Sequence, residues 1–161
     1  MQSESVLPRF FNPRSTARPS SKFSHGVTHS TRGRRMVISG QVGVLADGTV
    51  LPDLESQMDA AWDNLVAVLE EGGMGVTDLI KIVAFSTVPG SIATFRRVRD
   101  KRLGGHKPAS TYLEVSGLAR AEFLFEIEGE AVVEDMEDVA DTLPGSHVVA
   151  PGSTIRSKDN G

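Results

Sequence analysis

The sequence predicts an α+β domain, a mixed sheet with two helices packed on one face. Three observations carry that prediction. Leu54, Met58, Ala61, Leu65, Val68 and Leu69 recur at helical spacing over one long segment. A second, shorter segment runs from Pro89 to about Leu103 and stops at Gly104-Gly105, bounded as helices are. Apolar, β-branched or alternating stretches lie before, between and after these two, giving the order ββ-α-β-α-β-β.

Each element has a local reason. Met36-Val37-Ile38 is a short apolar run that leads through Ser39-Gly40-Gln41-Val42, a strand entering glycine-bearing backbone. Ala46-Asp47-Gly48-Thr49 is a turn signal. Asp53 can cap the first helix, Glu55 suits its positive end, and Gly72-Gly73 stops it. Leu79 to Val88 is apolar and β-branched enough for a strand, and Ala109 to Val115 makes the next. Over Ala121 to Val133, Phe123, Phe125, Ile127 and Gly129 alternate with Leu124, Glu126, Glu128 and Glu130, the two-residue period of a strand with unlike faces. Two helices cover one face, and no third helix remains for the other. Self-association through the open face is the physical expectation.

The chain divides by charge. Residues 1–22 hold four basic side chains and one acidic, with Pro8, Pro13 and Pro19, and read as a flexible basic arm. Residues 23–134 are the domain, and residues 135–161, acidic and rich in Pro-Gly steps, read as a loosely ordered tail. The 161 residues, 39% of them hydrophobic, supply one core and not two large ones. The absence of cysteine removes disulfides, a thiol nucleophile and thiolate metal sites. A net charge of −4 argues against a dedicated nucleic-acid binder, and the apolar runs are too short to cross a bilayer. The arm lacks the apolar stretch of a secretory signal. Its Arg and Ser faintly suit an organelle leader that three prolines oppose, so a cytoplasmic location is expected.

Several motifs, taken together and in order, resemble one family. They are Ser39-Gly40-Gln41 after an apolar strand, Trp62-Asp63-Asn64-Leu65 in the first helix, Pro108-Ala109-Ser110-Thr111 before a strand, Glu114-Val115, and Phe125-Glu126-Ile127-Glu128. Over about residues 23–134 the chain resembles the Rid (reactive intermediate deaminase) family, also called YjgF-like or endoribonuclease L-PSP. The resemblance implies a chorismate-mutase-like fold and a homotrimer with three clefts between subunits. It implies hydrolysis of enamines and imines to carbonyl compounds and ammonia, with no metal or organic cofactor.

That chemistry needs a donor for the substrate's polar end, a positioned water at the imine carbon, and a carboxylate beside that water. By the resemblance, Glu126 is the water-positioning group. Ser39 and Gly40 bring backbone N–H groups, and Phe23 stands where the family often has tyrosine. Active deaminases carry arginine in a Pro-Ala-Arg-Ser run, where it clamps the substrate carboxylate; here that position is Ser110. A neutral hydroxyl in place of a charge-assisted clamp forfeits about 1.5–3 kcal/mol, so a substrate other than 2-iminopropionate is expected. Tyr112, two residues on, can donate from a neutral phenol, and Arg96 on the second helix can supply a displaced cation.

Blander readings stand beside these. Glu126 can be an ordinary strand carboxylate, Tyr112 a packing aromatic, and Arg96 to Arg102 the solvated face of a helix. His25 and His29, four apart in a strand-like segment, are too far apart for one metal, and no metal site is expected. The expected function is a cofactor-free hydrolase or tautomerase acting on a small enamine or imine metabolite. The alternatives are a non-catalytic ligand-binding or regulatory trimer and, as a minor one, an RNA-associated protein, for which the basic run lacks interleaved aromatics.

Overall fold

The computed structural model of the chain describes residues 8–29 and 32–133. The segment read as an acidic tail, residues 135–161, lies outside them.

Among the described residues six strands and two helices follow in order. Strands β1 (Arg9–Phe11), β2 (Gly26–Thr28) and β3 (Arg34–Val42) precede helix α1 (Leu54–Glu71); a short 3₁₀ turn (Val76–Asp78) leads into β4 (Leu79–Ser86), then α2 (Ile92–Leu103), β5 (Ala109–Glu114) and β6 (Phe125–Val133). β1 and β2 form a small antiparallel ribbon. The main sheet has the order β3-β6-β4-β5, with β4 and β5 parallel and the other pairs antiparallel.

The α+β architecture agrees with the expectation from the sequence. α1 follows Asp53, whose carboxylate accepts the Ser56 backbone N–H at 2.9 Å. That satisfies one of the donors a helix start leaves unpaired and holds the Asp53 carboxyl below its ordinary value. Met58, Ala61, Trp62, Leu65 and Leu69 point into the sheet and are buried. They meet Ile82 and Ala84 of β4 and Phe125, Ile127 and Ala131 of β6. Gly129 lets α1 close on the sheet: a Cβ there would lie 3.2 Å from Leu79 Cδ2 and 3.5 Å from Leu65 Cδ1. Gln57 is buried but fully bonded. Its Nε2 donates to the carbonyls of Leu51 (2.8 Å) and Glu122 (2.9 Å), and its Oε1 accepts from the Leu124 N–H at 2.8 Å.

Four sequence readings are corrected. Residues 8–22 are not a free arm. β1 pairs with β2, the His25 N–H donates to Asn12 Oδ1 at 3.0 Å, and the segment between is fastened to the domain. α2 starts at Ile92 and not at Pro89, because Gly90 adopts φ +76° and its N–H donates to Glu114 Oε1 at 2.8 Å. β6 starts at Phe125, since a turn bonds the Phe123 N–H to the Arg120 carbonyl. The basic run of α2 is not simply a solvated face. Arg97 pairs with Glu55, Arg102 with Asp59 and Asp63, and Arg99 is 2% exposed.

Candidate functional site

The candidate residues fall into two groups on opposite faces of the sheet. Pairing decides this, because residues paired across a ladder share a face. Ser110 pairs with Ile82 and Tyr112 with Ala84, both buried toward the helices. Glu126 pairs with Phe85 on the open face.

On the open face, Gly40 and Glu126 touch. The register of β3 against β6 shifts between Ile38 and Gln41, leaving Ser39 and Gly40 in a bulge. The Glu126 carboxylate lies over the bare Cα of Gly40. A Cβ there would sit 1.7 Å from Oε1 and 2.6 Å from Cδ. The bare glycine permits that close approach, and its φ is not positive. Among the described residues nothing donates a hydrogen bond to the Glu126 carboxylate. Ser39 lines a hollow of about 310 Å³ on the same face with Val37, Lys81, Val83, Glu128 and Glu130. Lys81 Nζ donates to Thr111 Oγ1 at 2.8 Å.

On the helix face, Phe23, Arg96, Ser110 and Tyr112 line a cavity of about 170 Å³ with Phe95 and Arg99. Tyr112 stacks on Phe95 with ring centroids 4.8 Å apart. Its phenol lies 2.5 Å from Ser91 Oγ, and Ser91 lies 2.5 Å from the Val88 carbonyl. Ser91 Oγ also lies 2.9 Å from Ser86 Oγ, so the phenol hydroxyl is engaged within the chain, with either oxygen able to donate in its bond to Ser91. Arg96 Nη2 donates to Ser20 Oγ at 3.2 Å. Arg99 donates from Nε and Nη2 to Asp100 Oδ1, at 3.1 and 2.8 Å, and lies over the Phe95 ring.

Arg99 lines this cavity without having been singled out from the sequence. The signal was present: Ile92, Phe95, Arg96 and Arg99 recur at helical spacing, so one α2 face carries both guanidiniums. What the sequence could not give is that this face closes over Ser110. Among the described residues no three His, Asp or Glu side chains converge as metal ligands. No described helix is long and apolar enough to cross a membrane.

These features define an α+β protein of the YjgF type. The endoribonuclease L-PSP family model matches residues 14–133. The chain therefore belongs to the Rid/YjgF/endoribonuclease L-PSP family. It is 42% identical over 57 residues to the RutC family protein YjgH of Escherichia coli, 35% of this chain and 44% of that protein. It is 30% identical over 104 residues to a RutC family protein of Pyrococcus horikoshii, 63% of this chain and 82% of that one. The crystal structure of a Rid family protein of unknown function from Yersinia pestis superposes with a TM-score of 0.71 at 29% identity, covering 78% of this chain and 98% of the other. E. coli TdcF with bound serine superposes at 0.60 and 25% identity, covering 71% of this chain and 94% of that one.

Proposed function

We propose that this protein hydrolyses a small enamine or imine in clefts formed between copies of the chain. The observation that carries the reading is the unpartnered Glu126 carboxylate lying over Gly40. A carboxylate beside the bare Cα of a glycine, with no donor among the described residues, suits the orientation of a water molecule. The open face gives the second support. Val37 on edge strand β3 is 71% exposed, and Leu113 on edge strand β5 is 45% exposed. Two apolar residues on opposite unpaired edges suit closure of neighbouring sheets into a ring, with a homotrimer expected. Edge-to-edge closure is what would bring the Ser110 cavity of one copy to the Glu126 of the next.

In the proposed reaction an enamine first takes a proton at carbon to become the imine. Water, oriented by Glu126, adds to the imine carbon and gives up a proton to the carboxylate. That proton returns to the amino group, the C–N bond breaks, and ammonia and the carbonyl product leave. Ser110, Arg96 and Arg99 hold the substrate's polar end in place of the arginine found in active deaminases. Bound serine in TdcF is consistent with an amino-acid-sized ligand.

A second reading is a trimer that binds ligand without turnover. It is favoured by the Tyr112 hydroxyl, which is engaged with Ser91. Freshly generated imino acids of varied side chain, followed by ammonia release, separate the two readings. Acceleration that disappears in Glu126→Gln with the oligomer unchanged supports hydrolysis. No acceleration for any of them refutes it.

A further inference from the structure

The loop between β1 and β2 folds into a basic bowl that the reading above does not use. Its ends are clipped together by the β1–β2 ribbon and by Asn12 Oδ1 on the His25 N–H. Inside, His25 Nε2 lies 2.9 Å from the Ala17 carbonyl, and the Thr16 N–H donates to the Pro13 carbonyl. Ser24 fastens the loop to the domain, its N–H on the Pro108 carbonyl and its hydroxyl on the Lys107 carbonyl at 2.7 Å. Pro13 and Pro19 fix two further φ angles. The loop is therefore preorganised before any ligand arrives.

The concave side of this loop encloses about 710 Å³, within the range of small-molecule sites. Arg14, Arg18, Lys22 and Lys107 line it, and among the described residues no acidic one does. Of these four cations Lys22 alone meets a described carboxylate, that of Asp100 at 3.9 Å. Among the described residues, Arg14, Arg18 and Lys107 have no ion-pair or hydrogen-bond partner for their side chains. Four cations around one hollow repel one another, and an anion bound among them relieves that repulsion. Phe23 supplies an apolar wall and also lines the Ser110 cavity, as Ser21 does, so the two spaces adjoin.

We propose that the bowl binds the phosphate end of a small phosphorylated molecule. Arginine forks match phosphate oxygens bidentately, which suits Arg14 and Arg18 to that group. The enclosed volume and the acidic remainder of the domain favour a small ligand over a nucleic-acid strand.

The test is calorimetric titration of the full-length protein with inorganic pyrophosphate at constant ionic strength. A parallel titration uses single-stranded oligouridylate. Arg14 and Arg18 support no contact of the fold, so Arg14→Ala/Arg18→Ala is expected to fold and melt as the unmodified chain does. Saturable pyrophosphate binding that weakens by about tenfold or more for each lost charge-assisted contact supports the proposal. Absence of pyrophosphate binding, or binding unchanged in the double variant, overturns it. Tighter binding of oligouridylate, lost in the double variant, assigns the bowl to nucleic acid and overturns the small-molecule site. Both titrations are independent of turnover, so failure of imine hydrolysis leaves them interpretable.

Discussion

Two glycines three residues apart are expected to respond oppositely to the same substitution. At Gly43 an added Cβ would lie 2.4 Å from both Cα and Cβ of Gln57. That obstacle is helix backbone, and α1 cannot withdraw without stretching the three hydrogen bonds of Gln57. Overpacking costs about 1–3 kcal/mol, and each weakened buried hydrogen bond adds about 1 kcal/mol. The alanine gains back about 0.4–1 kcal/mol from the unfolded chain. Gly43→Ala should therefore lose roughly 3 kcal/mol. At Gly40 the obstacle is the Glu126 carboxylate, the far end of a flexible side chain with no bond to break. It can swing away, so Gly40→Ala should lose less than about 1 kcal/mol while displacing the proposed water-orienting group. Urea unfolding at one fixed protomer concentration measures both. With a slope of about 1–3 kcal/mol per molar, only Gly43→Ala should move the midpoint by about 1 M or more. Equal midpoints would refute the distinction between a rigid and a movable neighbour. A Gly40→Ala protein with full Glu126-dependent turnover would refute the placement of that carboxylate.

Other outcomes follow from the same geometry. Gln57→Leu should lose about 3 kcal/mol or more by urea unfolding, because two carbonyls and one N–H become buried without partners. The Ser56 N–H holds the Asp53 carboxyl below its ordinary 3.8. The cap therefore contributes fully above that value and is lost as pH falls below it. Asp53→Asn, which still caps, should flatten the acid limb of a stability-against-pH curve and change little at neutral pH; an unchanged limb would exclude Asp53 as a contributor. Arg99→Met should raise KM for an anionic imine more than it lowers kcat, as loss of ground-state anchoring does; a purely kcat effect would place Arg99 elsewhere in the reaction. Tyr112→Phe removes one partner of Ser91 and should cost about 1 kcal/mol in thermal unfolding, leaving substrate binding unchanged because the phenol is engaged inside the chain.

The sequence by itself determined the first helix with its caps, the glycine end of the second helix and the alternation of β6. Those depend on spacing and on residues adjacent along the chain. Asp53, Gly72 and the period of Leu65 and Leu69 are local signals, and they appear where they were read. Local signals failed where a distant partner decides the outcome. Residues 8–22, polar and proline-rich, look unstructured alone, but β1 gains its ladder from β2 and the loop gains anchors from Pro108 and Lys107. Arg99 reads as one more surface cation until α2 packs its Phe95 face over Ser110 and Tyr112.

The site shows the same division. The family resemblance named Gly40, Glu126, Ser110 and Tyr112, yet strand register sorted them. One residue of shift at Ser39-Gly40 sets which groups share the open face, and the parallel pairing of β4 with β5 turns Ser110 and Tyr112 to the other. Side chains alternate faces every residue, so chemistry that depends on which groups share a face is set by tertiary pairing and not by their order along the chain.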